Sequence, residues 1–136
     1  MAERHFTPEE ANALLEQVRP VAESLVAHRR AFTVAAARRA RLTQRISGNG
    51  GDFDPQEPSE LDEQLQREAE AVAGAVEELQ ALGVLVKDLD RGLVDFPARY
   101  PESGDLVLLC WHLGEDRVAF WHGLDEGFVG RKPLPF

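Results

Sequence analysis

Between Ala11 and Ile46 the apolar residues return every three or four positions: Ala11, Leu14, Val18, Val21, Leu25, Phe32, Ala35, Leu42 and Ile46 form one helical stripe, with His28 and Arg39 in the same register. Thr7-Pro8-Glu9-Glu10 supplies the start. Thr7 offers an N-cap hydroxyl, Pro8 fits the first helical position, and Glu10 stands where a capping box needs its carboxylate. Phe6 is placed to staple onto Ala11. The stripe ends at Ser47-Gly48-Asn49-Gly50-Gly51. Such a helix would reach ~58 Å at ~1.5 Å per residue, but Pro20 removes one ladder hydrogen bond and predicts a kink or a break. After a polar connection over 48–58, Ser59 is expected to cap a second helix with the stripe Leu61, Leu65, Val72, Val76, Leu79 and Leu82, closed by Gly83. So short a link makes the two helices antiparallel neighbours, a helical hairpin over 1–83.

From Val84 onward the period changes to alternation, which predicts a small antiparallel β-meander of about four strands over 84–136. Val84–Lys87 and Leu93–Phe96 flank Asp90-Arg91-Gly92, a turn in which Gly92 takes the left-handed conformation, and Pro97 is expected to close the second strand. Leu106–His112 forms a third strand and Arg117–His122 a fourth, joined around Gly114-Glu115-Asp116. Alternation puts Leu106, Leu108, Cys110 and His112 on one face of the third strand and Val107, Leu109 and Trp111 on the other; Val118, Phe120 and His122 share a face of the fourth. Lys87 and Asp95 fall near one another as a cross-strand ion pair. The fold class is α+β, and 136 residues with 43% apolar content suit one domain over 1–136.

Charge modifies this picture. The net charge of -9 disfavours nucleic acid and anionic membrane, yet six arginines and no acid lie between Ser24 and Gly51, while Asp52 to Asp90 holds twelve acids against Arg67 and Lys87. An antiparallel hairpin sets these two blocks side by side, so salt bridges across it explain the arginine run. The chain has neither an apolar run at its amino terminus nor 18 consecutive apolar residues, so a soluble cytoplasmic protein that does not enter the membrane is expected. One cysteine forms no intrachain disulfide and suits a reducing compartment.

Chemistry concentrates in Cys110-Trp111-His112-Leu113-Gly114-Glu115 and Phe120-Trp121-His122, which within a span of thirteen residues hold both tryptophans, the cysteine, two of four histidines and a carboxylate. Thiolate, imidazole and carboxylate bind transition metals or move protons, and a hairpin brings them together. The candidate metal ligands are Glu115, His122, Cys110 and His112, with Asp125 as a further oxygen donor, for a divalent transition metal; Arg131 is a candidate anion clamp. The spacing matches no standard zinc signature, and the bland reading makes Cys110 a small buried hydrophobe and the histidines packing residues.

Several motifs together resemble a bacterial family of small uncharacterised proteins, domain of unknown function number 2203. They are Phe6-Thr7-Pro8-Glu9-Glu10-Ala11-Asn12, Leu82-Gly83-Val84, Val86-Lys87-Asp88, Gly92-Leu93-Val94-Asp95-Phe96-Pro97, Leu109-Cys110-Trp111, Gly114-Glu115, Trp121-His122, Gly127-Phe128 and Gly130-Arg131. The resemblance spans nearly the whole chain and implies a small bacterial cytoplasmic protein without bringing an activity. Gly123 departs from it, standing where an acidic residue is expected after Trp121-His122.

Two functions follow as expectations. One is binding of a metal or small anion at the 110–122 hairpin. The other is a non-catalytic dimeric interaction or scaffolding module, since two long amphipathic helices carry more apolar stripe than a small sheet covers, and a homodimer would bury the excess. The chain lacks a phosphate loop, a nucleophile elbow and a dinucleotide fingerprint, so no well-marked enzyme class is supported.

Overall fold

The structure, a computed structural model, describes residues 4–49 and 54–136. Two helices, α1 (Pro8–Asn49) and α2 (Glu57–Ala81), precede five strands: β1 (Leu85–Asp88), β2 (Leu93–Arg99), β3 (Leu106–His112), β4 (Phe120–Gly123) and β5 (Lys132–Pro133), with a single 3-10 turn at Phe128–Gly130 before the last. The strands form one antiparallel sheet in chain order, β1-β2-β3-β4-β5. The α+β fold of a helical hairpin and a meander is as the hydrophobic pattern predicts.

Local chemistry accounts for the helix ends. The Thr7 N–H donates to Glu10 Oε1 at 2.9 Å and the Glu10 N–H to Thr7 Oγ1 at 3.1 Å, a reciprocal capping box that also holds the Glu10 carboxyl below its ordinary range. Phe6 and Ala11 are both buried in the core beside this cap. Pro20 neither ends α1 nor divides it: the helix runs unbroken from Pro8 to Asn49, with Pro20 on its exposed side, where a carbonyl that loses its partner is solvated. Nor does Ser59 cap α2. The helix starts at Glu57 because Pro58 tolerates its first turn and Asp54 turns the chain into it, accepting the Gln56 N–H on its carboxylate and the Glu57 N–H on its carbonyl. The connection between the helices is therefore shorter at both ends than 48–58. At the other end Gly83 (φ 97°) donates to the Gln80 carbonyl while Val84 donates to that of Leu79, a Schellman closure of α2.

The arginine run lies along α2 as its charge pattern requires, with Arg39 bonded to Asp62 at 2.8 Å and Arg45 near Glu57 at 3.5 Å; Arg29 reaches instead to Asp90 in the β1–β2 turn. The core lies between the sheet's inner face and the first half of α1. Val94, Phe96 and Ala98 of β2 and Val107, Leu109 and Trp111 of β3 meet Ala11, Leu14, Leu15, Val18 and Ala22, with Leu79 from α2. Gly92 keeps the positive φ that its turn requires, 63°, and a Cβ there would stand 3.0 Å from Val26 Cγ2.

The meander departs from the alternation pattern in three places. Strand β2 continues through Pro97 to Arg99, because Pro97 lies past the last pairing with β1 and its missing N–H interrupts no ladder on that side; its carbonyl accepts from Phe6 at 2.7 Å. Strand β4 starts only at Phe120, so Val118 turns into the core with the helices and does not share a face with His122. Leu93 pairs with Asp88 and not Leu89, and the register shifts again between Val86 and Asp88, so that Asp95 pairs with Leu85 in place of Lys87. A fifth strand, two residues long, is below what alternation can reveal. Among the described residues no helix is long and apolar enough to cross a membrane.

Candidate metal centre

With the inner face of the sheet committed to the core, the outer face carries the next set of side chains. Asp95 of β2 lies opposite Cys110 of β3, and His122 of β4 lies opposite Leu108, two residues along the strand from Cys110 and on the same face. All three are buried: Asp95 is 1% exposed, Cys110 0% and His122 3%. One ligand atom from each lies within 4.8 Å of those of the other two.

The hydrogen bonds fix how the imidazole is used. His122 Nδ1 is 2.9 Å from the Gly123 carbonyl oxygen, which only accepts, so Nδ1 carries a proton and donates it. Nε2 then faces Asp95 Oδ1 at 3.2 Å. An ionised carboxylate also only accepts, so a neutral ring would set lone pair against lone pair in a buried place. A cation must lie between them: a proton, on either partner, or a metal ion. Burial pushes the Asp95 carboxyl up, and the nearby His122 opposes this.

Cys110 adds the third group without behaving as a nucleophile. Burial, reinforced by the Asp95 charge, pushes its thiol up to about 11, against the pull of Arg131, whose Nη1 stands 4.0 Å from Sγ. A relay of thiol, imidazole and carboxylate needs the two ring nitrogens to serve different partners. Here Gly123 takes Nδ1, leaving Nε2 alone for both Cys110 and Asp95. Convergence of sulfur, nitrogen and oxygen on one point is instead an arrangement that could hold a metal ion. Donor atoms around a tetrahedral zinc-like ion are about 3.3–3.8 Å apart, so enclosing one takes side-chain movements of about 1 Å.

Over residues 4–134 the sequence matches the model of a family described as an uncharacterized conserved protein (DUF2203). The chain belongs to this family. No curated protein and no solved structure matches it.

In this DUF2203 chain the structure divides the sequence-derived candidates into two neighbouring groups. Cys110 and His122 meet in the buried cluster. Glu115 and His112 lie beside it: Glu115 Oε1 accepts from Arg131 Nη1 at 2.9 Å and from the His112 backbone N–H at 3.0 Å, and stands 3.7 Å from His112 Nε2. His112 Nδ1 bonds the Leu113 carbonyl at 2.9 Å and its ring meets Phe128 edge-on. Arg131 is thus paired with a carboxylate, and its guanidinium lies 4.0 Å from the Phe120 ring centroid and 4.3 Å from that of Phe128. Burial opposes its charge, but Glu115 and Cys110 together raise its pKa. Asp125 is exposed and outside the cluster.

Asp95 is the residue that sequence reasoning assigned elsewhere, to a cross-strand ion pair with Lys87. The signal against that pairing was present in the run Leu93-Val94-Asp95-Phe96, where an acid inside a continuous apolar strand demands a buried partner. The shifted register between Val86 and Asp88 hid it.

Proposed function

We propose that this protein binds one divalent transition metal ion through Asp95, Cys110 and His122. The observation that carries this reading is the buried convergence of a carboxylate, a thiol and an imidazole nitrogen, one atom of each within 4.8 Å of the other two, with Nδ1 engaged elsewhere so that Nε2 faces the other two groups. Carboxylate, thiolate and neutral imidazole around a divalent ion sum to zero charge, the condition least costly in a desolvated site. Sulfur and imidazole donors favour zinc-like ions over magnesium or calcium. Because the three ligands come from β2, β3 and β4, the ion would staple the middle of the sheet. The depth of the site suits holding an ion more than admitting a substrate. Glu115, His112 and Arg131 act around this centre, not as its ligands.

Cobalt titration of untagged, metal-stripped protein tests it. One ion per chain is expected, with the absorption of a thiolate-to-cobalt charge transfer and a rise in melting temperature; at a hundredfold excess over Kd that gain is about 2.7 kcal/mol. Coordination removes the Cys110 proton from a thiol whose pKa is about 11, so binding strengthens as pH rises and weakens as it falls. No bound ion, and no change of melting with zinc or cobalt, overturns the proposal.

A second reading concerns the far half of the helical hairpin. There Val34 is 55% exposed, and Phe32 and Leu65 are only half-buried. Exposed Arg30, Arg38 and Arg41 line α1, and exposed Glu60, Glu63 and Glu70 line α2. A second copy related by a twofold axis would cover the apolar positions and set the basic helix of each protomer against the acidic helix of the other. This reading also fits a scaffold role. Sedimentation equilibrium is expected to give a dimer that Val34→Glu dissociates; a monomer at the highest concentrations overturns it.

A further inference from the structure

Among the described residues neither α-helix lies on the outer face of the sheet, yet Asp95, Cys110 and His122 are almost wholly buried there. Part of the cover is the chain that leaves β4 and returns as β5. Its two ends are held at β4, since Phe120 pairs with Pro133 and Trp121 with Lys132. Between them it closes around Glu126, whose Oε1 accepts from the Gly123 N–H at 2.9 Å and from Lys132 Nζ at 3.0 Å. A Cβ on Gly130 would stand 3.0 Å from Glu126 Oε2, so the loop folds tightly on this side chain.

The loop's hold on the sheet is narrow. Leu124, Asp125, Glu126 and Gly127 are exposed, and Val129 is 98% exposed. Phe128 and Arg131 are the two side chains that reach back over the sheet's functional groups, Phe128 against His112 and Arg131 to Glu115, with its Nη1 beside Cys110 Sγ. A segment with so few buried apolar contacts opens at much lower cost than the core. Its strongest tie is the Arg131–Glu115 ion pair, in which both side chains are about five-sixths buried, at 16% and 15% exposure.

We propose that the loop from Gly123 to Arg131 is a gate over the Asp95, Cys110 and His122 centre, latched by the Arg131–Glu115 ion pair, and that its opening sets the rate at which a metal ion enters and leaves. The proposal rests on the metal-binding reading above. Closing the latch keeps water and competing ligands from the thiolate; releasing it exposes Cys110 first, since Arg131 lies directly against that sulfur.

Glu115→Gln tests this, because it removes the charge of the latch while leaving an oxygen to accept the His112 N–H and touching none of the three ligands. Two rates are measured at matched melting temperature: labelling of Cys110 by dithionitrobenzoate in the metal-free protein, and loss of bound cobalt to a chelator. Both are expected to rise about tenfold in Glu115→Gln, with one cobalt per chain retained, as weakening a charge-assisted bond by this amount implies. Val129→Ser, at an exposed position on the same loop, is expected to change neither. Unchanged rates in Glu115→Gln, with cobalt still bound, overturn the gate and leave the metal centre standing. Faster labelling in a protein that never binds cobalt overturns the metal centre, and the gate's role with it.

Discussion

Asp95→Asn is expected to leave the protein folded and remove its metal, whereas Asp95→Ala is expected to cost about 3–5 kcal/mol of stability as well. The difference follows from the fixed proton on His122 Nδ1. With the Gly123 carbonyl holding that proton in place, Nε2 of a neutral ring is an acceptor, and an asparagine amide at position 95 donates to it. The variant thereby replaces a shared cation by an ordinary hydrogen bond in the same volume. Its amide is a poor ligand, so cobalt affinity should fall by a hundredfold or more, roughly 2.7 kcal/mol at 1.36 kcal/mol per decade. Alanine does worse: it leaves a void and strands a buried ring nitrogen, or a buried imidazolium, without a partner. Urea unfolding in excess chelator separates the two effects. A metal-free Asp95→Ala protein within about 1 kcal/mol of wild type would show that the His122 contact carries little energy, and an Asp95→Asn protein that binds cobalt normally would remove Asp95 from the ligand set.

The way this cluster escaped and yet was approached by sequence reasoning has a physical basis. Helical periodicity, the Thr7–Glu10 capping box and the Gly83 cap are encoded within a few residues of one another, and they give the helical hairpin directly. The opposite charges of the two helices follow from the same antiparallel arrangement. Cys110 and His122 were visible because they sit on adjacent strands near a single turn, where counting residues suffices to bring them together. Asp95 belongs to a strand whose register depends on a one-residue irregularity at Lys87, and period-two patterns lose their meaning at such a slip. Glu115 and Arg131 illustrate the converse: each was visible as a charged residue in a loop, but the placement of their pair beside Cys110 depends on how the chain between β4 and β5 doubles back, which no periodicity states. Pro20 shows that a local rule for proline yields when the flanking helix is long and the affected carbonyl is solvated.

Trp111→Ala is expected to destabilise the protein by about 3–5 kcal/mol, because this side chain joins the two faces of the sheet. Its ring is wholly buried against the helices, and the Arg19 guanidinium lies 5.6 Å from its centroid. Its Nε1–H donates 3.0 Å to the backbone carbonyl of Glu115, in the turn that presents the latch carboxylate to Arg131. Truncation therefore opens a large void on the inner face and releases a fixed point on the outer one. Trp111→Phe separates the two contributions: it keeps most of the apolar volume and loses the N–H, so it should cost about 1–2 kcal/mol, chiefly from the unmade hydrogen bond. The measurement is urea unfolding of both variants, alongside Cys110 labelling under native conditions. If the Glu115 turn is held from the core side as the geometry requires, Trp111→Phe should speed labelling by more than its modest loss of global stability explains. If labelling follows global stability alone, the core and the gate are independent, and Trp111 serves only to fill the space between the sheet and α1.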